Sequence, residues 1–333
     1  MQMIQRCVVA ALLAFALTAL VGRFLVPALR RLKAGQSIKT DGPTWHMSKQ
    51  GTPTMGGLMF IVGIAAAVLI SGWREIAAGD YSALFVLGFA LVFGAIGFVD
   101  DYAKLKKHEN TGLSASQKFL LQLAAAIAFT ALLRHNGHLT PNLYIPFLGT
   151  QIVLPWVVYM IFAAFVMVGC VNAVNITDGV DGLAAGVTTP VALFYTVVCV
   201  IWGRAALGTF AAALLGALLG FLIYNFHPAK VFMGDTGSLF LGGTVCGLAF
   251  ALDMPLILIL VGMIYIAETV SDIIQVGYFK LTHGKRIFRM APLHHHLELG
   301  GWTEKKLVFV FTGITLVFCL IALAGVAQRY MIP

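Results

Sequence analysis

The chain has 333 residues, of which 59% are hydrophobic and only 11% are charged. A soluble globular protein carries about 25% charged residues, and a chain of this length does not enclose enough interior to bury so much apolar surface. The composition therefore excludes a water-soluble fold, a disordered chain and nucleic-acid binding by the chain as a whole, and the net charge of +8 is instead typical of the topology bias of a membrane protein.

Ten apolar segments of about 20 residues, the length that crosses a hydrocarbon core, predict about ten transmembrane helices. They cover roughly residues 3–29, 53–72, 82–99, 119–133, 151–172, 183–203, 205–225, 237–252, 254–275 and 307–328. The first segment is long and has no small-residue cleavage site after it, so it predicts an uncleaved helix and not a signal peptide. The predicted fold class is an all-α polytopic membrane protein, with residues 1–333 forming a single integral membrane domain.

The distribution of Lys and Arg predicts the orientation of these helices. Of the 22 basic residues, sixteen fall in alternate connections on one face and five fall in the connections on the other. The positive-inside rule places the first face in the cytoplasm and both termini outside. The outer connection 134–150 combines Asn, Gly and Pro with an alternating apolar stretch, which predicts a small periplasmic hairpin.

Most of the carboxylates near the predicted membrane boundary collect on the cytoplasmic face, where they predict a polar cleft. They are Asp100, Asp101, Asp178, Asp181, Asp235, Glu268 and Asp272, whereas only Glu75, Asp80 and Asp253 are clearly external. The adjacent Asp100 and Asp101 end the third segment, where they oppose the helix macrodipole and repel each other. Lys104 or a divalent metal would offset this charge; the alternative is an ordinary interface anchor.

Two further segments on this face are rich in polar groups. In Phe232–Ser238 two glycines bracket Asp235 and a threonine at the predicted start of a helix, a setting that suits phosphate or Mg²⁺ as well as a simple helix cap. In the second segment four residues suit a sugar or a base, although two Asp-Gly steps also predict a compact loop. They are Asn172, Asn175, Asp178 and Asp181.

The histidine loop, residues 283–298, carries three consecutive histidines, His294, His295 and His296, close to Lys285, Arg286 and Arg289. Adjacent side chains diverge, so the three histidines do not suit one metal ion. Histidine donors beside cations favour an anionic ligand such as a diphosphate, and the alternative is a solvated basic loop. Acids for Mg²⁺, bases for phosphates and amides for a nucleotide together indicate phosphoryl transfer involving a membrane lipid.

Five motifs that extend over nearly the whole chain carry a family resemblance. They are GTPTMGG (51–57), VDDYAK (99–104), NAVNITDGVDGLAAG (172–186), NFHPAKVFMGDTGS (225–238) and APLHHHLE (291–298). The sequence resembles the phospho-N-acetylmuramoyl-pentapeptide transferases, a branch of the polyprenyl-phosphate N-acetylhexosamine-1-phosphate transferase superfamily. The Asp motifs are shared across the superfamily, whereas APLHHHLE is more particular to this branch.

The resemblance implies a reaction of peptidoglycan synthesis. Phospho-MurNAc-pentapeptide passes from UDP-MurNAc-pentapeptide to undecaprenyl phosphate in the presence of Mg²⁺, giving lipid I and UMP. It also implies ten transmembrane helices, a cytoplasmic active site in the bacterial plasma membrane and a homodimer. Whether the transfer takes one step or two is left open.

The resemblance also implies roles for individual residues. Asp235 would bind Mg²⁺, Asp100 would deprotonate the lipid phosphate, and Asp101 would belong to the metal–phosphate cluster. Asp178, Asp181 and Phe232 would contact the nucleoside, in a substrate site that also includes Asn172 and Asn175. The residues expected around the phosphates are Lys49, Lys104, His294, His295 and His296, of which His294 is expected nearest the diphosphate, with the other two histidines shaping the loop.

Two other functions are compatible with parts of the pattern. A sister transferase that uses another UDP-sugar would keep the Asp motifs and differ around His294–His296. A transporter of an anionic metabolite would explain acids within the membrane such as Glu268 and Asp272. A transporter would not need the Asp set typical of Mg²⁺ sites, and the inverted repeats common among transporters are absent from the sequence.

Overall fold

The computed structural model describes residues 2–32, 49, 51–107, 112–327 and 329. Within this part of the chain the fold consists of helices and one small hairpin. The helices before the hairpin are α1 (Gln2–Arg31), α2 (Gly57–Ser71), α3 (Trp73–Ala77), α4 (Ser82–Lys107) and α5 (Ala115–His135). Those after it are α6 (Trp156–Thr177), α7 (Leu183–Ile201), α8 (Ala205–Asn225), α9 (Gly234–Ala251), α10 (Leu258–Val261), α11 (Met263–Leu281), α12 (Leu293–Glu298) and α13 (Glu304–Ala327).

A helix lies at each of the ten predicted segments. Among the described residues, seven helices are long and apolar enough to cross a membrane, or eight if α11 is counted together with the short helical turns before it. The structure thus gives a multi-pass helical membrane protein. The 15 residues of α2 fall short of a full span, and α9 begins with the polar residues of the Asp235 motif.

The ninth predicted segment is not one straight helix. The helical residues Pro255–Val261 and the helix α11 meet at an angle of 81° around Gly262. The prediction of one continuous helix over 254–275 was therefore wrong. The helix α10 ends at Gly262. Because glycine has no side chain to shield the helix backbone, the helix axis changes direction at this residue.

The predicted hairpin is present and extends beyond residue 150. Strands β1 (Asn142–Ile145) and β2 (Thr150–Val153) pair antiparallel, with Leu143 opposite Ile152. The following helix begins only at Trp156, because the second strand occupies the residues that were predicted to start the fifth segment. Tyr144 is fully buried and donates a hydrogen bond of 3.0 Å to the carbonyl of Gly325, which fastens the hairpin to the end of α13.

The core of the bundle is formed by α8 and α9, whose side chains are nearly all buried, whereas α1, α5 and α13 leave much of their surface exposed. A helix that is apolar all round is typical of such a central position. The most extensive helix–helix contacts are those of α4 with α9 and of α1 with α8. Gly97 permits the first of these, because a Cβ there would lie only 2.1 Å from the carbonyl oxygen of Asp235.

The polar contacts separate into two ends of the bundle. At one end Arg6 pairs with Glu75, and Asp253 accepts hydrogen bonds from Thr140 and Arg329. The carboxylates predicted for the cytoplasmic cleft make their contacts at the other end. All five cysteines are free and none is exposed, so they pack as small apolar residues.

Candidate active site

The carboxylates of Asp100 and Asp101 are buried near the last turns of α4. The sequence had suggested that these two residues end the helix. In the structure the helix continues to Lys107, so they do not form its C-terminus. Lys104 lies one turn further on, with its Nζ 2.7 Å from Asp100 Oδ2. The prediction that a cation offsets this charge pair is confirmed, and the cation is supplied by the same helix.

Asp235 lies in the first turn of α9 and faces Asp100. Its Oδ2 accepts hydrogen bonds from Lys104 (3.2 Å) and Lys118 (2.5 Å), and its Oδ1 accepts one from Asn175 (3.0 Å). The preceding Gly234 has φ +69°, and a Cβ there would lie 2.5 Å from Asp101 Oδ2. Glycine is therefore required for both the backbone conformation and the space.

Asp101 caps α9 from a neighbouring helix. Its Oδ2 accepts hydrogen bonds from the amide (2.9 Å) and hydroxyl (2.7 Å) of Thr236, and its Oδ1 accepts one from the amide of Asp235 (3.2 Å). The first amides of a helix lack partners within it, and a carboxylate there also interacts favourably with the helix dipole. Asp101 thus fixes the position from which Asp235 projects.

Lys118 was not predicted as a site residue. It lies one turn into α5, whose start is fixed by a reciprocal pair of hydrogen bonds between Ser114 and Gln117. The amide of Leu113 donates to Asp100 Oδ1 at 2.8 Å, which holds this helix start against α4. The Ser114–Gln117 capping pattern is visible in the sequence, but the approach of α5 to Asp235 is not.

We call Asp100, Asp101, Asp235, Lys104 and Lys118 the acid–lysine cluster. Oxygen atoms of its three carboxylates lie within 4.8 Å of one another. Clustered carboxylate oxygens are the ligands that a hard divalent cation prefers, so the donor set fits Mg²⁺. The two lysines balance the acids and offer donors to a phosphate.

A second cluster surrounds Asp181, which is buried at the start of the turn before α7. Its carboxylate accepts hydrogen bonds from Lys49 Nζ (2.7 Å) and the Ala229 amide (2.9 Å), and it lies 3.0 Å from His227 Nδ1. Lys49 also donates to Glu304 at 2.6 Å. We call Lys49, Asp181, His227 and Glu304 the Asp181 cluster.

The Asp181 cluster forms one wall of a pocket of about 390 Å³. The carboxylates of Asp181 and Glu304 are near enough to His227 to share a metal ion, but the ammonium group of Lys49 already bridges them. The arrangement is therefore an ion-pair cluster at the edge of a ligand-sized cavity. Neither His227 nor Glu304 was predicted, because their approach to Asp181 depends on contacts between residues far apart in sequence.

Phe232 lies between His227 and Asp235 in the sequence, and hydrogen bonds of its backbone hold it in place. Its amide donates to the carbonyl of Pro53, and its carbonyl accepts from Gly56, both at 2.8 Å. This pairing joins the GTPTMGG segment to the loop before α9. The half-buried Phe232 side chain is thereby kept close to the helix start that carries Asp235.

The two predicted asparagines have different surroundings. Asn175 donates to both Asp235 (3.0 Å) and Ser238 (2.7 Å), so it belongs beside the acid–lysine cluster. Asn172 donates instead to the side chain of Gln122 (2.7 Å) on α5. Its amide nitrogen is therefore engaged in joining α6 to α5.

Asp178 immediately follows α6, and no hydrogen bond joins its carboxylate to the residues that the structure describes. Burial raises the pKa of Asp178 well above its usual range, and the negative charges of Asp235, Asp101 and Asp181 raise it further. All three neighbouring charges act in the same direction, so they favour the protonated form of Asp178.

The three histidines of the histidine loop lie on the short helix α12 and have different partners. His294 is 1% exposed, and its Nδ1 lies 2.9 Å from Glu268 Oε2. His295 contacts Glu298 at 2.9 Å, and His296 Nδ1 accepts from the amide of Arg289 at 3.1 Å. The three side chains thus have different hydrogen-bonding partners, although the rings of His294 and His295 remain in contact, with centroids 4.1 Å apart.

Gln275 anchors the histidine loop, a role that the sequence did not indicate. Its Oε1 accepts hydrogen bonds from the amides of Ile287 (3.1 Å) and Phe288 (3.0 Å), and its Nε2 donates to the Phe288 carbonyl (3.2 Å). Three hydrogen bonds from one side chain of α11 hold the loop beside the helix.

Similarity to known proteins agrees with this arrangement. Residues 83–253 match the family described as glycosyl transferase family 4, and residues 49–61 match phospho-N-acetylmuramoyl-pentapeptide-transferase signature 1. The first match includes both the acid–lysine cluster and Asp181, and the second includes Lys49. Fold and site together define the class as a multi-pass membrane transferase of glycosyl transferase family 4.

Three similar proteins bear the name phospho-N-acetylmuramoyl-pentapeptide-transferase. The protein from Clostridium acetobutylicum is 47% identical, with 93% of this chain and 96% of the relative aligned. The protein from Staphylococcus carnosus is 47% identical, with 95% of this chain and 98% of the relative aligned, and that from Caldanaerobacter subterraneus subsp. tengcongensis is 45% identical, with 95% and 97% aligned. The chain belongs to the family of phospho-N-acetylmuramoyl-pentapeptide transferases and is a phosphotransferase.

Proposed function

We propose that the protein transfers phospho-MurNAc-pentapeptide from UDP-MurNAc-pentapeptide to undecaprenyl phosphate, giving lipid I and UMP. The observation that carries this proposal is the acid–lysine cluster, in which two buried carboxylates, one half-buried carboxylate and two lysines meet at one end of a membrane bundle. Both substrates carry phosphates, and such a combination of charges suits a metal-bound diphosphate and an anionic acceptor.

Asp235 is proposed as the direct Mg²⁺ ligand, with Asp100 and Asp101 as the further oxygen donors near it. Asp101 uses both oxygens to accept backbone amides at the start of α9, whereas the partners of Asp235 are all side chains, which a bound cation could displace. When bound, Mg²⁺ would neutralise negative charge on the diphosphate, and UMP would then be a better leaving group.

The roles proposed for the other cluster residues follow from their contacts. Asp100 accepts the proton of the lipid phosphate, or orients that phosphate, because its carboxylate is buried next to both lysines. Lys104 and Lys118 exchange their carboxylate partners for phosphate oxygens. Asn175 holds Asp235 in place through its amide group.

The nucleoside is proposed to occupy the pocket beside the Asp181 cluster. Its volume of about 390 Å³ and its polar walls suit a uridine, with Asp181 and Lys49 as hydrogen-bonding groups. Phe232 is assigned an aromatic contact with the nucleoside, and Asp178 is assigned a polar one. Asn172 is assigned to shaping this part of the site.

The histidine loop is proposed to select the muramoyl-pentapeptide substrate. His294 is assigned to the diphosphate, and His295 and His296 to the shape of the loop. Support comes from the packing of His294 against the segment that carries Asp178 and Asp181, where Gly179 is its neighbour.

We propose that the bundle has ten transmembrane helices and forms a single domain in the bacterial plasma membrane. The site end faces the cytoplasm, both termini lie outside, and the protein acts as a homodimer. The topology is supported by the separation of the polar contacts into two ends, with Arg6, Glu75 and Asp253 away from the acid–lysine cluster.

Radiolabelled UDP-MurNAc-pentapeptide tests this function. The purified protein with undecaprenyl phosphate and Mg²⁺ should convert the label into a lipid-extractable product and release UMP, and a chelator should stop both. Failure to form a labelled lipid in the presence of all three components would refute the proposed reaction.

A further inference from the structure

His294 and Glu268 form a buried pair that joins three separate parts of the chain. Glu268 lies on α11, His294 on α12, and the ring of His294 packs against Gly179 in the turn that follows α6. Glu268 is 0% exposed and His294 is 1% exposed. Two titratable side chains so deeply buried at the site end need a physical reason, because an uncompensated buried charge is costly.

The hydrogen bonds determine which ring nitrogen carries a proton. Glu268 Oε2 lies 3.3 Å from the backbone nitrogen of His294 and 2.9 Å from its Nδ1. An ionised carboxylate oxygen accepts hydrogen bonds only, so Nδ1 must be the donor in the contact. The Nδ1 proton and the orientation of the ring are therefore fixed by Glu268.

The only ion-pair or side-chain hydrogen-bond partner of the Glu268 carboxylate among the described residues is His294. Its Oε1 is buried without a hydrogen-bond partner in that part of the chain. The two contacts with His294 are therefore what holds this carboxylate within the described residues.

The second nitrogen of the ring, Nε2, faces the backbone of Gly179. It is buried and has no hydrogen-bond partner among the described residues. A Cβ on Gly179 would lie only 2.3 Å from it, so the absence of a side chain there lets the ring approach the backbone between Asp178 and Val180. Gly179 is itself exposed, so Nε2 lies just beneath the surface of this turn.

We propose that Glu268 is a positioning residue for the transfer reaction, holding the ring of His294 through its Nδ1–H so that Nε2 faces the turn that carries Asp178 and Asp181 in the substrate site. This inference rests on the proposed function and adds to it a residue outside the predicted site. Glu268 itself touches no substrate; it acts through the ring of His294.

A double-mutant cycle measures whether Glu268 acts through His294. Glu268→Gln keeps the shape and one acceptor but removes the charge, and we expect it to lower kcat/KM about tenfold. His294→Ala should lower kcat/KM at least as much, and the double variant should match His294→Ala within about twofold, because coupled residues are not additive. The matched control is Thr269→Ala, which removes only a hydrogen bond within α11 and should keep wild-type kinetics.

Nitrogen-15 NMR of histidine-labelled protein in lipid gives a readout that needs neither turnover nor a folded Glu268 variant. The His294 signals, identified by their loss in His294→Ala, should show a proton on Nδ1 in the wild-type protein. A deprotonated Nδ1, or losses of Glu268→Gln and His294→Ala that multiply in the double variant, would overturn the proposal. A wild-type protein that forms no labelled lipid would instead refute the proposed function. The NMR result does not depend on turnover, so the two failures can be distinguished.

Discussion

Asp235 is the carboxylate of the acid–lysine cluster that three side chains contact. Two lysines and Asn175 bind it, and an asparagine in its place would keep the shape but lose the charge that hard Mg²⁺ prefers. We expect Asp235→Asn to lower turnover by orders of magnitude with folding intact, as measured by lipid-product formation across a Mg²⁺ series.

The matched control for this variant is Asp80→Asn, an equivalent change at the opposite end of the bundle, where the carboxylate caps α4 through Ser82. Asparagine caps helices as well as aspartate does, so this control should behave as wild type. Near-normal activity of Asp235→Asn at low Mg²⁺ would rule out a ligand role.

Lys118 offers a test of a residue that only the structure revealed. Its ammonium group lies 2.5 Å from Asp235 and 3.7 Å from Asp100. Losing one charge-assisted contact costs about 1.5–3 kcal/mol, or roughly 10- to 150-fold in rate. We therefore expect Lys118→Gln to lower kcat/KM at least tenfold.

Lys106 provides the comparison for Lys118, because its side chain is exposed and lies two residues beyond Lys104 on the same helix. Lys106→Gln should retain activity within about twofold. If both variants lost activity equally, a general electrostatic effect of this face would explain the result better than a specific contact of Lys118.

At the residue scale, the sequence predicted the chemical type of the site better than it predicted which side chains contact one another. The Asp motifs and Lys49 indicated phosphate and metal chemistry, and Lys49 does contact Asp181 as part of one cluster. Glu304 and His227 could not be predicted, because the loops that carry them meet Asp181 only after α7, α8 and α13 have packed. Local sequence holds no signal for such approaches.

At the scale of the helix, Asp101 stabilises the first turn of α9, and Asp235 projects into the acid–lysine cluster from the same turn. Removing a cap costs about 1 kcal/mol, and leaving buried amides without acceptors adds about 1–3 kcal/mol. We expect Asp101→Ala to lower both the thermal stability in detergent and the activity, whereas Asp235→Asn should lower activity alone.

Asp80→Ala is the appropriate comparison for Asp101→Ala, because Asp80 also accepts hydrogen bonds at a helix start, that of α4. It should lose stability and keep its specific activity below the unfolding temperature. An Asp101→Ala protein with wild-type stability would show that the cap is not what fixes α9.

The positions of the elements were largely predictable, since each apolar segment has one helix. The break at Gly262 was not, because the residues on both sides are equally apolar and hydropathy carries no information on direction. The extension of α4 to Lys107 was missed for a related reason: polar residues end an apolar segment but do not end a helix.

At the scale of the whole molecule, the proposed orientation makes a prediction for labelling from outside intact cells. The segments 30–50, 100–118, 172–182, 226–236 and 276–306 should all be cytoplasmic. An impermeant thiol reagent should therefore miss Ser116→Cys, which is exposed in the structure, and Ser48→Cys, which lies outside the described residues.

Asn136→Cys serves as the positive control, because Asn136 is exposed at the end of α5 on the proposed outer face. It should react rapidly under the same conditions. Rapid labelling of Ser116→Cys would place the acid–lysine cluster on the wrong side of the membrane and contradict the orientation.

The choice of nucleotide sugar tests the central claim most directly, since the shared Asp motifs suit any UDP-sugar and the histidine loop is proposed to select one. Purified protein should be given undecaprenyl phosphate, Mg²⁺ and an equimolar mixture of UDP-MurNAc-pentapeptide and UDP-N-acetylglucosamine, each with a different radiolabel. We predict that the lipid product carries the muramoyl-pentapeptide label almost exclusively. A product labelled mainly from UDP-N-acetylglucosamine would contradict the account and identify a sister transferase.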